Sequence, residues 1–323
     1  RESARPMARI WLPAERMHVT LPEASCSAAP LLPPGGRLSL VHLITFSTRQ
    51  TQRLQGCWLQ WVSHVLSNDA TPTRHYRVHL RTFDAASNLT AAGLSRRSQL
   101  ATARAAAGSF QTAAWYSALR AKMVLIKDIM DEQTNAAGEN DVFVVTDLDV
   151  APLRHYSNLL ACLEYDITFM REPPDHAGSF GSHVVNGGFY VIRNSPSVRA
   201  FLANVVAKGK MFPKLHDQDI ANAILLRFIR HPRANDFGLP NPRGKPRLNW
   251  GVFPRTLVTG RLEEVNEQTV AYHAIGAENT SHKAARLADA FRRSGTSLPH
   301  CSLRPSSAHG RRAGRDGVTS TRN

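Results

Sequence analysis

Two carboxylates one residue apart, Asp147 and Asp149, close the stretch DVFVVTDLDVAPL, residues 141–153. Val142 to Thr146 is an almost unbroken apolar run, as in a strand buried on both faces. In extended backbone, residues i and i+2 point to the same side, so both carboxylates would face one spot. Two hard oxygen donors suit Mg2+ or Mn2+, ions that also take phosphate oxygens. Asp-x-Asp alone is expected about once by chance in a chain this long; its place at the mouth of a core strand gives it weight. The plain alternative is a strand-end turn in which Asp147 caps the following helix and Asp149 is solvated.

Three downstream segments offer matching chemistry. HVVNGGFYVIR places Asn186 and two glycines directly before a buried strand. Glycines there let a ligand approach the backbone, and Asn186 supplies a donor and an acceptor; a plain turn would look the same. HDQDIANAIL opens a helix with His216, Asp217, Gln218 and Asp219. Acidic residues in a first turn often serve as caps, the role preferred for Asp219. AYHAIGAENTSHK carries His273 at the end of a strand, then Gly276 and Lys283. His273 is either structural or the third metal position that two carboxylates leave open.

These residues need a scaffold, and hydrophobic periodicity outlines one. Strands are expected at Leu38–Ser47, Tyr76–Asp84, Val142–Thr146, DITFM, GGFYVIR and TVAYHAI, with LNWGVFP a further segment. Helical faces recur at Leu54–Leu66, Tyr156–Leu163, Ser197–Ala207, Asp217–Phe228 and Lys283–Arg292. The longest helix carries Tyr116, Leu119, Met123, Ile126 and Met130 on one stripe, with Lys122 off it. Strands alternating with helices imply a largely parallel sheet covered on both faces, which binds ligands at the carboxyl ends of its strands.

Composition bounds the rest. The 42% hydrophobic content is enough for a real core. The net charge of +15 is uneven: residues 292–323 hold seven arginines and one aspartate. A Pro/Ala-rich linker is expected over 1–37, one folded domain over 38–292 and a disordered Arg-rich tail over 293–323. The four cysteines have no metal-type spacing and indicate no disulfide framework, with a Cys57–Cys162 bridge left open. No apolar run approaches the roughly 18 residues of a membrane span. The chain begins with Arg and reads as a fragment, so any upstream anchor would lie outside it.

Taken in order, the strand ending in Asp-x-Asp, Asn-Gly-Gly-Phe, Asp-Gln before a helix, and His-x-x-Gly…Lys resemble the nucleotide-diphospho-sugar transferase domain of GT-A glycosyltransferases. The similarity spans roughly Leu38 to Arg292 and points to the branch of plant and algal arabinosyl- and xylosyltransferases, with glycogenin-like enzymes more distant. It implies a three-layer α/β/α sandwich with a mostly parallel, Rossmann-like mixed sheet. It also implies a pentosyl- or hexosyltransferase moving a sugar from a nucleoside-diphosphate donor, a UDP-sugar first, to a glycan or glycoprotein, with retention of configuration. Mn2+ or Mg2+ would be held by Asp147, Asp149 and His273. Lys122, Asp147, Gly276 and Lys283 would serve the nucleotide diphosphate, although AENTSH is longer than the family's usual gap before the lysine. Asn186, Asp217 and Gln218 would line the donor sugar and the reacting centre. Trp250 would stack on an acceptor sugar or belong to the core. The resemblance places the full-length protein in the Golgi lumen behind a membrane anchor, with no nucleic-acid partner. Asn88 and Asn279 begin N-glycosylation patterns, and a glycan at Asn279 would crowd the diphosphate site unless that loop bulges outward.

Two other classes compete. Haloacid-dehalogenase-type phosphatases use the first Asp of Asp-x-Asp-x-Thr as nucleophile, which would be Asp147, but Ala151 stands at the Thr position and the motif comes late in the chain. A polyanion-binding protein would use the basic tail, which lacks interleaved aromatics.

Overall fold

The apolar run at residues 142–146 forms most of β4 (Val142–Asp147), the middle strand of a seven-stranded sheet. This computed structural model describes residues 23–24, 40–47, 51–67, 75–82, 99–102, 113–134, 141–160, 164–173, 184–230, 248–277 and 279–297. On one flank of β4, β1 (Leu40–Ser47), β2 (His75–Thr82) and β3 (Gln99–Thr102) follow in turn, all parallel. On the other flank β7 (Val185–Arg193) runs antiparallel to β4, β6 (Ile167–Arg171) antiparallel to β7, and β8 (Trp250–Val252) parallel to β6. The order β3-β2-β1-β4-β7-β6-β8 is therefore mixed and mostly parallel.

Both faces are covered. Val142 and Val144 pack with Trp58 and Trp61 of α1 (Gln52–Ser67) and with Leu287 and Phe291 of α6 (Thr280–Arg293). Phe143 and Val145 point the other way. They meet Met123, Ile126 and Met130 of α2 (Ala113–Thr134), Phe201 and Leu202 of α4 (Pro196–Met211) and Ile220 of α5 (Asp217–Arg230). Each such side chain removed from water contributes about 1.5–3 kcal/mol. This is the expected α/β/α sandwich, and it explains why β4 reads as a continuous apolar run rather than an alternating one.

A second sheet was not foreseen. Ala-Pro after the Asp pair does not end the strand region. Val150–Pro152 forms β5, which pairs antiparallel with β10 (Ala271–His273), and β10 pairs parallel with β9 (Val258–Thr259). A short helix, α3 (Ser157–Leu160), follows β5. Asn186, Gly187 and Gly188 lie inside β7 rather than ahead of it. Edge strand β3 arises where the sequence carries only weak signals.

The domain limits also move. Ala24, placed by sequence in a flexible linker, is buried, and its N–H donates to the Val252 carbonyl (2.9 Å). At the other end Ser294 is buried and Thr296 Oγ1 donates to the Leu153 carbonyl (2.9 Å), so the folded body runs past residue 292. Cys57, buried on α1, is disulfide-bonded; the other three cysteines, Asn88 and most of the two chain ends lie outside the described residues.

Candidate active site

Strand polarity gathers the site. β4 and β6 end at one rim of the sheet, and β7, being antiparallel, starts there. Thr146 sits opposite Phe189, so Asp147 emerges beside the Asn186-Gly187-Gly188 segment. Leu148 then turns into the core, and the chain crosses to the second sheet at Asp149. The two carboxylates thus converge through a turn between sheets, not through the strand alternation expected from sequence. In the second sheet His273 is paired with Val150, and the Ala274 N–H donates to the Asp149 carbonyl (2.9 Å). That register brings His273 Nε2 to 3.3 Å from Asp149 Oδ1.

One ligand atom each from Asp147, Asp149 and His273 all lie within 4.8 Å of one another. Two carboxylate oxygens and an imidazole nitrogen at this spacing fit a divalent cation of the Mn2+ or Mg2+ kind. His273 Nδ1, on the far side of the ring, is 3.0 Å from Asn186 Oδ1. Gly188 is a steric requirement here: a Cβ on it would stand 2.2 Å from His273 Cε1 and 2.9 Å from Asn186 Oδ1.

Two ammonium groups balance the carboxylates. Lys122 is not the solvated helical lysine its sequence position allowed. It is 3% exposed and donates to Asp147 Oδ1 (2.7 Å) and to the Gly187 carbonyl (2.8 Å). Burial works against its charge, but Asp147 and then Asp217 outweigh this and hold its pKa above the ordinary lysine value. Lys283 reaches Asp149 Oδ2 despite the long segment before it. The reason is local: Asn279 is exposed and caps α6, accepting from the His282 N–H (2.9 Å), so the helix starts early and Lys283 falls in its first turn. Burial disfavours the Asp149 carboxylate, yet Lys283 and His273 together hold its pKa far below the usual range.

Asp217 is different. It is buried, its Oδ2 has no hydrogen-bond partner, and Lys122 Nζ is 3.9 Å away. Burial raises its pKa, with Lys122 only partly opposing. Asp219 takes the capping role expected of it: its carboxylate accepts from the His216 N–H (3.2 Å). Gln218 accepts from the Gly187 N–H (3.0 Å) through Oε1. Gly276 occupies an exposed turn between β10 and α6 with φ +69°, a conformation glycine adopts without strain. Trp250 belongs to the core.

Two polar residues were missed by sequence reasoning. Asn222 hydrogen-bonds Val184 N–H, Val185 N–H, the Val185 carbonyl and the Gln218 carbonyl, latching α5 to the start of β7. Glu172, just past the end of β6, accepts from Asn186 Nδ2 (2.7 Å) and Gln218 Nε2 (2.9 Å). The signal for Glu172 was available: like Asp147, it is an acid delivered by a buried strand to the carboxyl rim.

The nucleotide-diphospho-sugar transferase family matches residues 94–287, more than half of the chain. No curated protein matches by sequence. Solved structures with a similar chain path include mouse xyloside xylosyltransferase 1 (14% identity, 73% of this chain and 98% of that one, TM-score 0.43). Another is a glycosyltransferase involved in glycosylation of the major capsid of PBCV-1 (11%, 77% and 98%, 0.44). A third is the glycosyltransferase GlyE of Streptococcus pneumoniae TIGR4 (10%, 80% and 65%, 0.45).

Proposed function

The chain belongs to the nucleotide-diphospho-sugar transferase family, and from that premise we propose a metal-dependent, retaining sugar transfer at the rim formed by Asp147, Asp149 and His273. It is a glycosyltransferase using a nucleotide-sugar donor. The finer proposal is a UDP-sugar donor, a pentose or hexose as the transferred group, and a glycan or glycoprotein acceptor.

The observation that carries the proposal is the three ligand atoms within 4.8 Å of one another, flanked by two lysines. A divalent ion held there would act as a Lewis acid, offsetting charge that develops on the departing nucleoside diphosphate. Lys122 and Lys283 place two further positive charges beside the same carboxylates, suited to diphosphate oxygens once a donor is present. Gly188 lets the His273 ring lie against the β7 backbone, where a Cβ would stand 2.2 Å from His273 Cε1. Asn186 and Gln218 offer amide groups to sugar hydroxyls, and Asp217 sets a carboxylate, unsatisfied at Oδ2, against the reacting centre. Its proposed role is positioning of the donor sugar and support for positive charge at the anomeric carbon. Gly276 lets the chain turn from β10 towards Lys283.

We place the full-length protein in the Golgi lumen, behind a membrane anchor outside this chain. The disulfide at Cys57 supports this, because such bonds persist in oxidising compartments. Among the described residues no helix is long and apolar enough to cross a membrane. Family membership favours neither the phosphatase nor the polyanion-binding reading.

The direct test is Asp149→Ala. Nucleoside diphosphate release from a panel of UDP- and GDP-sugars with Mn2+ is expected in the wild type and to fall by at least about a hundredfold in the variant, while circular dichroism stays unchanged. Equal turnover by a well-folded variant would remove the proposal.

A further inference from the structure

The hydrogen bonds around Glu172 have only one consistent direction. Its Oε2 faces both Asn186 Nδ2 and Gln218 Nε2, and a carboxylate only accepts. At the other end of each amide stands a backbone N–H, which only donates: Gly188 N on Asn186 Oδ1 (2.8 Å) and Gly187 N on Gln218 Oε1 (3.0 Å). Both amides are thereby held one way round from both sides. Asn186 Oδ1, as an acceptor, also faces His273 Nδ1, so that ring nitrogen must carry the proton. In the neutral ring the lone pair is then on Nε2, the nitrogen turned towards Asp149.

We infer that Glu172 is a positioning residue which, through Asn186, keeps His273 protonated on Nδ1 and presents Nε2 to the metal, while through Gln218 it holds the Gly187 backbone at the same rim. This rests on the metal-dependent reading above. The geometry gives Glu172 no direct contact with the Asp147–Asp149–His273 cluster; it acts two hydrogen bonds away. Removing its acceptor leaves the Gly188 N–H alone to hold the Asn186 amide one way round, and so allows a turned-over population. An NH2 group facing Nδ1 would favour the tautomer with its proton on Nε2, which cannot bind a cation there. Partners at this remove typically change metal affinity about 10–100-fold when lost.

Glu172→Met removes the acceptor at similar volume. Glu172→Gln keeps it, because one amide oxygen can accept both bonds. Mn2+ binding by the full chain without nucleotide, followed by the free-ion paramagnetic resonance signal, is expected to weaken about 10–100-fold in Glu172→Met and to stay near wild type in Glu172→Gln. Equal affinity in wild type and Glu172→Met would overturn the inference and leave the metal site standing. Wild-type binding no stronger than that of Asp149→Ala would remove the metal reading, and the inference with it. A second measurement serves if Glu172→Met does not fold. Long-range proton–nitrogen spectra of histidine-labelled wild type, with His273 identified by its loss in His273→Asn, are expected to show Nδ1 protonated. A bare Nδ1 overturns the inference by itself.

Discussion

At the scale of single residues, the site is a set of charges that burial would penalise and that mutual contact retains. Burial works against both charges, yet Asp149 and Lys283 shift in opposite directions because each faces the other. His273 adds to the shift of Asp149, and Asp147 to that of Lys283. The depressed Asp149 contributes stability above the ordinary aspartate range and loses it only as pH falls through its low folded value. The raised lysines keep their contribution up to and beyond the ordinary lysine range. Asp217 behaves otherwise. Its raised pKa means its favourable contribution is complete in acid and lost as pH rises through the folded value, so above the ordinary aspartate range the group costs stability. Asp217→Asn is therefore expected to stabilise the fold at pH 7 by about 1–3 kcal/mol, with the gain shrinking in acid, while turnover drops. Calorimetric melting at both pH values, beside a turnover assay, checks it; an unchanged or lower melting temperature at pH 7 refutes it.

At the scale of elements, β7 is what the site is built against. Its antiparallel direction puts its first residues at the rim where β4 and β6 end, and Asn222 ties α5 to the same residues. The two glycines in it are unequal. A Cβ on Gly187 would make ordinary contact with Gln218 Cβ at 3.4 Å, whereas one on Gly188 would overlap the His273 ring. Gly188→Ala is expected to cost about 1–3 kcal/mol and to weaken Mn2+ binding by displacing His273, while Gly187→Ala retains both the fold and the metal affinity. Denaturant melts and Mn2+ titrations of the pair test this, and a Gly188→Ala that binds Mn2+ normally would show that β7 does not set the His273 position. The family match in sequence, by contrast, concerns residue identities and not this contact.

At the scale of the whole molecule, two cores on opposite faces of one sheet share the central strands, and a small second sheet is attached where β4 ends. The disulfide at Cys57 lies in the α1 layer, under the strands that carry the site. Reduction is expected to lower stability by about 2–5 kcal/mol; a melting temperature unmoved by reductant, with thiol counting to prove reduction, would contradict it. Much of this architecture was legible beforehand. The apolar run at residues 142–146, the stripe on α2 and the order of motifs sufficed for an α/β/α fold with acids at a strand end, because both-face burial and helical spacing are local, periodic demands on residue type. Asp147, Asp149 and His273 could be named as candidate ligands by motif and order alone. What no local pattern contained was how they meet. The β5–β10 pairing that sets His273 beside Asp149, the burial of Lys122, the early start of α6 that delivers Lys283, and the Glu172 bridge between two amides each join residues 14 to 134 positions apart. Contacts across such distances depend on sheet register and packing, which only the folded chain decides.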